Sequence, residues 1–304
     1  MFIEQGIHSG NKFWKYLFGS VLIFGASLIG QLPLLMGVFY ETVVNKKTYP
    51  NSNAAIMHFL EPNFTLFLLL FSFVFVVLGI YFVIRNVHHQ SLLSIITSRV
   101  SIDWKRVFFS FSLWAGFTIG STALFYFLTP EDFVLQFQLI PFLILFAIGL
   151  VLFPFQIGSE ELIFRGYLMQ GFGNLARNKW FPLLMTSLIF GLLHLANPEV
   201  DKMGYSILIY YIGTGFFLGI ITLMDEGMEL ALGFHFANNF IGAILVTSDW
   251  SAFQTYAVLK DVSNPSASLD VLLPVFVIFP ILLVLFAKRY QWKDWAEKLT
   301  GKIS

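Results

Sequence analysis

Cysteine is absent from the chain, which excludes disulfides, thiolate nucleophiles, cysteine-ligated zinc and lipid attachment at cysteine. Charge is scarce as well. Asp, Glu, Lys and Arg make up 12% of the 304 residues, about half of the roughly 25% found in an ordinary soluble domain. The two signs balance at 18 each, so no net field draws the chain to nucleic acid. Internal repeats, low-complexity linkers and composition shifts are missing too, which leaves a single polytopic domain over residues 1–304. What fills the chain is apolar: 57% hydrophobic residues, 37 of them Phe, in several runs longer than the roughly 18 residues that suggest a membrane span. The fold class that follows is an all-α integral membrane protein. Its first apolar run, about 13–40, far exceeds the ~7 to 15 residues of a cleaved signal core and reads as a retained helix.

Apolar length and the polar breaks between runs lay out eight spans, at about 13–40, 63–84, 107–128, 134–158, 180–196, 204–224, 229–248 and 268–287. An even number puts both termini on one side. Fourteen Lys and Arg fall on that side and four on the other, so the positive-inside rule makes both ends cytoplasmic. A multi-pass protein of a bacterial plasma membrane is expected. The tail, 288–304, sets Trp292, Trp295 and Leu299 among lysines at helical spacing and reads as a helix lying on the inner surface. Residues 260–270 read as an outer loop.

Against this apolar background the stretch GSEELIFRGYL (158–168) stands out. Ionisable side chains inside hydrocarbon cost about 2.5–3.5 kcal/mol each and therefore face protein or water, where they serve a function. Glu161 and Arg165 are four apart, which stacks a carboxylate on a guanidinium. Glu160 points about 100° away with Ile163 and Phe164 at its own helical neighbours, so it is the unpaired acid and the candidate general base. Pro154, Gly158 and Gly166 suggest a kink and a close helix contact. In the next span Phe190 and His194 share a face. With a hairpin tip near 173–179, Glu160 and His194 lie at similar depth, about 25 Å from the turn, so carboxylate and imidazole should meet. That depth requires the helix carrying Glu160 to continue past residue 158. His235 and Asn239, again four apart, offer two donors for a carbonyl oxygen. Each residue alone has a plain structural reading: adjacent acids ending a helix at the headgroups, or a lone His or Asn gluing two helices. The other histidines, His8, His58, His88 and His89, lie in loops or at span ends.

The ordered triple Glu-Glu-x-x-x-Arg (Glu160, Glu161, Arg165), Phe-x-x-x-His (Phe190, His194) and His-x-x-x-Asn (His235, Asn239) resembles the signature of the CPBP family of intramembrane proteases. That family comprises the CAAX prenyl-protein endopeptidases and the bacteriocin-processing or immunity proteins related to them. The resemblance covers about 157–240, the expected catalytic core, and residues 1–130 carry none of it. It implies that Glu160 with His194 activates a water for attack on a peptide carbonyl, in a cavity open to the cytoplasm and the bilayer. His235 and Asn239 would hold the oxyanion, and Glu161 and Arg165 would brace the site as an ion pair. It further implies a membrane-associated protein or peptide substrate and no cofactor or metal.

Rival readings attach to the same residues. A zinc hydrolase would draw ligands from Glu160, His194 and His235 but lacks a His-Glu-x-x-His helix. A bis-His haem protein would use His194 and His235 and leave the carboxylates and Asn239 unexplained. A transporter would carry paired broken segments in matching halves, which this chain does not. An immunity or scaffold protein that binds a partner through the same pocket is the strongest rival.

Overall fold

The computed structural model describes residues 1–8, 10–265 and 269–303; the outer-loop reading at 266–268 lies outside them. In a bilayer every backbone N–H and C=O must be satisfied within the protein, which leaves helices as the natural outcome for such a sequence. In chain order the apolar helices are α1 (Phe13–Val43), α2 (Pro62–Asn86), α3 (Trp104–Leu128), α4 (Leu139–Ala176), a shorter α5 (Trp180–Ala196) and α6 (Tyr205–Asp225). Next comes α7 (Glu229–Phe236), carried on by a π turn over Ala237–Ile241 and a last turn over Gly242–Leu245. The series closes with α8 (Val271–Tyr290). Each of the eight expected segments contains one of these helices, and six of the helices, all but α5 and α7, are long and apolar enough to cross a membrane.

Local chemistry sets the helix ends. Glu61 caps α2 by accepting from the backbone N–H of Asn63 and Phe64 at 3.2 and 2.8 Å, with Pro62 in the first turn, where its missing N–H costs nothing. Asp103 caps α3 on Lys105 at 3.0 Å. Arg177 and Glu226 close α4 and α6 in the left-handed region, at φ 52° and 59°.

Outward faces are apolar, as lipid contact requires: Val21, Phe24 and Met36 on α1 are all more than 60% exposed. Inward, the core runs through Leu70, Ile80, Phe153, Phe217 and Phe234. Hydrophobic driving force between helices is weak in lipid, so close approach of small residues does much of the packing. A Cβ on Gly233 of α7 would stand 2.1 Å from the Val107 carbonyl oxygen of α3, and one on Gly30 of α1 would stand 2.5 Å from that of Ser72 on α2.

The connections sort to two ends. At one end the residue pairs Thr97 with Gly227 and Asn178 with Lys302 form single β bridges. Lys179 reaches Glu297 at 3.1 Å, and Ile3 and Ile303 share one apolar cluster with Met169 and Leu223. Both terminal segments therefore sit at the same end, as an even run of helices demands. At the other end a small sheet of order β1–β3–β2 joins β1 (Phe133–Leu135), β2 (Val246–Thr247) and β3 (Leu259–Asp261), antiparallel between β1 and β3 and parallel between β2 and β3.

Three expectations change. The span placed at 134–158 begins as strand, starts its helix at Leu139 and runs on to Ala176, as the depth argument for Glu160 required. Its irregularity includes a π turn at Leu162–Leu168; Gly166 makes the close contact, against the Ile95 carbonyl, whereas no atom lies within 4 Å of a Cβ on Gly158. The tail is not one surface helix. Gln291 and Asp294 turn through the left-handed region before a short helix, α9 (Trp295–Thr300). Trp292 folds back to donate to Asp225 at 3.1 Å, so the tail docks on protein. His88 is also more than a span-end residue: it is fully buried, bonded to Asn11 and, at 3.1 Å, to the Tyr167 hydroxyl, and burial pushes it down to about 4.

Replacing Gly233 by Val should lower stability in detergent by about 1–3 kcal/mol through overpacking, read as a drop in apparent Tm. Gly116→Val, at an open position, should leave it nearly unchanged.

Candidate active site

Glu161 is fully buried, and its Oε1 accepts two charge-assisted hydrogen bonds, from Arg165 Nη1 at 3.1 Å and from His235 Nδ1 at 2.8 Å. Arg165, 1% exposed, stacks over the Phe190 ring at 4.4 Å and donates to the Gly215 carbonyl at 3.3 Å. One buried carboxylate thus ties α4 to α7, and its guanidinium partner ties in α5 and α6. The expected Glu161–Arg165 pair is present, and it extends to His235, which spacing alone did not show.

The bond to Glu161 fixes His235. A carboxylate accepts, so Nδ1 carries the proton and Nε2 faces the other way. There it lies 3.4 Å from Asn239 Nδ2 and 3.6 Å from Glu160 Oε2. Two carboxylates, one guanidinium and one imidazole then make a cluster that is neutral when a single additional proton lies between Glu160 and His235. Glu160 Oε2 has no hydrogen-bond partner among the described residues, while Oε1 accepts from Gln156 Nε2.

His194 stands differently from the expectation. No hydrogen bond or ion pair joins it to Glu160 among the described residues; the imidazole that Glu160 meets is that of His235. The reason is local. α5 gives way to a 3-10 turn at His194, and the ring turns back to donate from Nδ1 to the Phe190 carbonyl at 2.7 Å. It stacks on Tyr211, centroids 4.4 Å apart at 25°. This bond places the proton on Nδ1 and leaves the Nε2 lone pair without a hydrogen-bond partner among the described residues, still within electrostatic reach of Glu160 and His235.

Sequence reading missed Gln156, Asn238, Trp114, Tyr210 and Tyr211. Asn239 Nδ2 donates to Gln156 Oε1 at 3.0 Å, and Asn238 Nδ2 donates to Asn239 Oδ1 at 3.0 Å. Trp114 and Tyr210 both donate to Asn238 Oδ1, at 3.2 and 3.4 Å. Gln156 had a signal, an amide four residues before Glu160 in an apolar run, and Asn238 is the neighbour of a motif residue. The aromatic residues had none in a chain that is 18% aromatic. Among the described residues no group of three His, Asp or Glu side chains is placed to hold a metal ion, and His235 and His194 each commit one ring nitrogen within the protein.

This constellation spans α4 to α7. Residues 138–241 match the family model of type II CAAX prenyl endopeptidases, Rce1-like. The matched segment contains all three motifs, so the family resemblance read from them holds. Along nearly its full length the chain is similar to uncharacterized protein YyaK of Bacillus subtilis (strain 168), 27% identical over 291 residues, covering 95% of this chain and 97% of that one. No solved structure matches the chain. The chain is a multi-pass membrane protein with an Rce1-like segment, and the similarity points to a CAAX-type intramembrane protease.

Replacing Arg165 by Met strands a buried carboxylate, and breaking a buried pair in this way costs about 3–5 kcal/mol. Thermal unfolding in detergent should show a large loss of Tm for Arg165→Met and also for Glu161→Gln, which strands the buried Arg165 guanidinium in turn.

Proposed function

We propose that this protein is an intramembrane endopeptidase that adds water across a peptide bond of a membrane-associated protein, prenylated or leader-bearing, without a metal ion. The observation that carries the reading is the convergence of Glu160, His235 and Asn239, braced by buried Glu161 and Arg165, inside the segment that matches a protease family. Glu160 Oε2 takes a proton from water as the hydroxide oxygen bonds to the scissile carbonyl carbon. His194 accepts a hydrogen bond from the same water through its unengaged Nε2. The carbonyl oxygen, now negative, is held by the second hydrogen of Asn239 Nδ2, joined by His235 Nε2–H when that nitrogen also carries a proton. Collapse of the tetrahedral adduct breaks the C–N bond, and the proton on Glu160 passes to the leaving nitrogen. Glu161 orients His235 through its Nδ1–H, Arg165 steadies Glu161, and neither touches a reacting atom.

Glu160→Gln keeps the shape and removes the base, so it should lower turnover by about 10²–10⁴-fold. The substrate emerges from comparing peptide termini in membrane fractions of cells carrying wild-type or Glu160→Gln protein: a terminus present only with the wild type is expected. Identical termini in both, with the cellular phenotype retained in the variant, would favour a partner-binding immunity or scaffold protein instead.

The plasma membrane is the proposed location, with both termini cytoplasmic and the pocket reached from that side. The bias of Lys and Arg supports it, as does the position of His235, six residues or about 9 Å of helix rise from Glu229 near the end that gathers the termini. The cysteine-free chain allows a direct check. In intact cells an impermeant maleimide should label Asn51→Cys and leave Thr300→Cys unlabelled until the cells are opened.

A further inference from the structure

We infer that Gln156, outside all three motifs, is a positioning residue that sets Glu160 and Asn239 in mutual register through a single side-chain amide. The inference rests on the endopeptidase reading of the same pocket. Gln156 is 4% exposed and lies one helical turn before Glu160, on the same face of α4. Its Nε2 donates to Glu160 Oε1, and its Oε1 accepts from Asn239 Nδ2 at 3.0 Å. The base and the proposed oxyanion donor, on different helices, are therefore linked by one group.

The direction of this relay is determined at its far end. Trp114 Nε1–H can only donate, so the Asn238 atom it meets at 3.2 Å is the carbonyl oxygen. Asn238 must then present its amino group to Asn239 Oδ1, at 3.0 Å, and Asn239 its own amino group to Gln156 Oε1. Gln156 is left with its amino group for Glu160. Three amides thus point one way, from Trp114 to the carboxylate. Run in reverse, the chain would set the Asn238 amino group against the indole N–H, two donors facing each other. Two consequences follow for the reaction. Asn239 turns N–H rather than C=O toward His235 Nε2, the only orientation that serves a developing oxyanion. Glu160 has Oε1 occupied, so Oε2 is the oxygen that faces His235 and takes the proton.

The test uses full-length protein in lipid nanodiscs, with an internally quenched prenylated peptide ending in Cys-aliphatic-aliphatic-any residue as the probe. Gln156→Met preserves length and removes both hydrogen bonds. It should lower kcat on the order of 10- to 100-fold, as slight misplacement of reacting groups does, with KM within about twofold. Trp114→Phe, which keeps the ring packing and touches neither Glu160 nor Asn239, should produce a smaller loss of the same kind. Exposed Gln31→Met on α1 is the control.

A second readout does not depend on cleavage. The Glu160 carboxylate stretch, assigned by its loss in Glu160→Gln, should move in the infrared spectrum of Gln156→Met and stay in place in Gln31→Met. An unmoved band, or a kcat equal to wild type in a stably folded Gln156→Met, overturns the relay. A wild type that leaves the peptide and every cellular substrate uncut overturns the endopeptidase reading and the positioning role with it; a band that still moves then marks the hydrogen bond as structural only.

Discussion

A carboxylate with no access to solvent, in a protein built for hydrocarbon, must be neutralised by groups brought to it, and Glu161 is that carboxylate. Its Oε1 gathers Arg165 and His235, and Arg165 in turn leans on Phe190 and the Gly215 carbonyl. Four helices are committed to one another by the need to satisfy a single buried charge. Removing one partner of such a group is far more damaging than replacing the whole assembly by apolar side chains, so the arrangement has little freedom to drift. That rigidity is what the proposed hydrolytic pocket needs, because the neighbouring acid, Glu160, can be left without a strong ionic partner only if everything around it is held in place.

The same economy of charge shapes the end of the molecule where the termini meet. Arg99 and Arg106 converge on Asp225 at 3.0 Å each, with Arg99 also on Glu229 at 3.1 Å. The indole of Trp292 adds a third donor to Asp225. Basic residues that weigh in the topology count are, in the fold, the clasp that joins the α2–α3 connection and the first turn of α3 to the α6–α7 turn and the tail. Charge bias and structural clasp are one set of residues seen at two scales.

π turns interrupt α4 at Leu162–Leu168 and α7 at Ala237–Ile241, and both carry site residues, Arg165 in the first and Asn239 in the second. Extra residues in a helical turn re-aim the side chains that follow, which is why such turns gather at functional positions. Spacing rules drawn for a regular helix still brought Glu161 to Arg165 and set His235 beside Asn239. They could not say that α5 would break at His194 and swing its ring onto Tyr211, away from direct contact with Glu160.

From the sequence alone came the apolar class, a helix within each expected apolar segment, the continuation of α4 past residue 158 and the candidate residues Glu160, Glu161, Arg165, His235 and Asn239, because each rests on local facts: composition, run length and neighbours four apart on one helix. The family resemblance followed from the order of three short motifs. Only the tertiary structure decided which imidazole meets which carboxylate, that Gln156 bridges Glu160 and Asn239, and that the tail docks on protein. Those outcomes depend on the rotation, tilt and local unwinding of helices far apart in the chain, and the small residues and buried charges at their contacts fix these quantities only when all the helices are assembled.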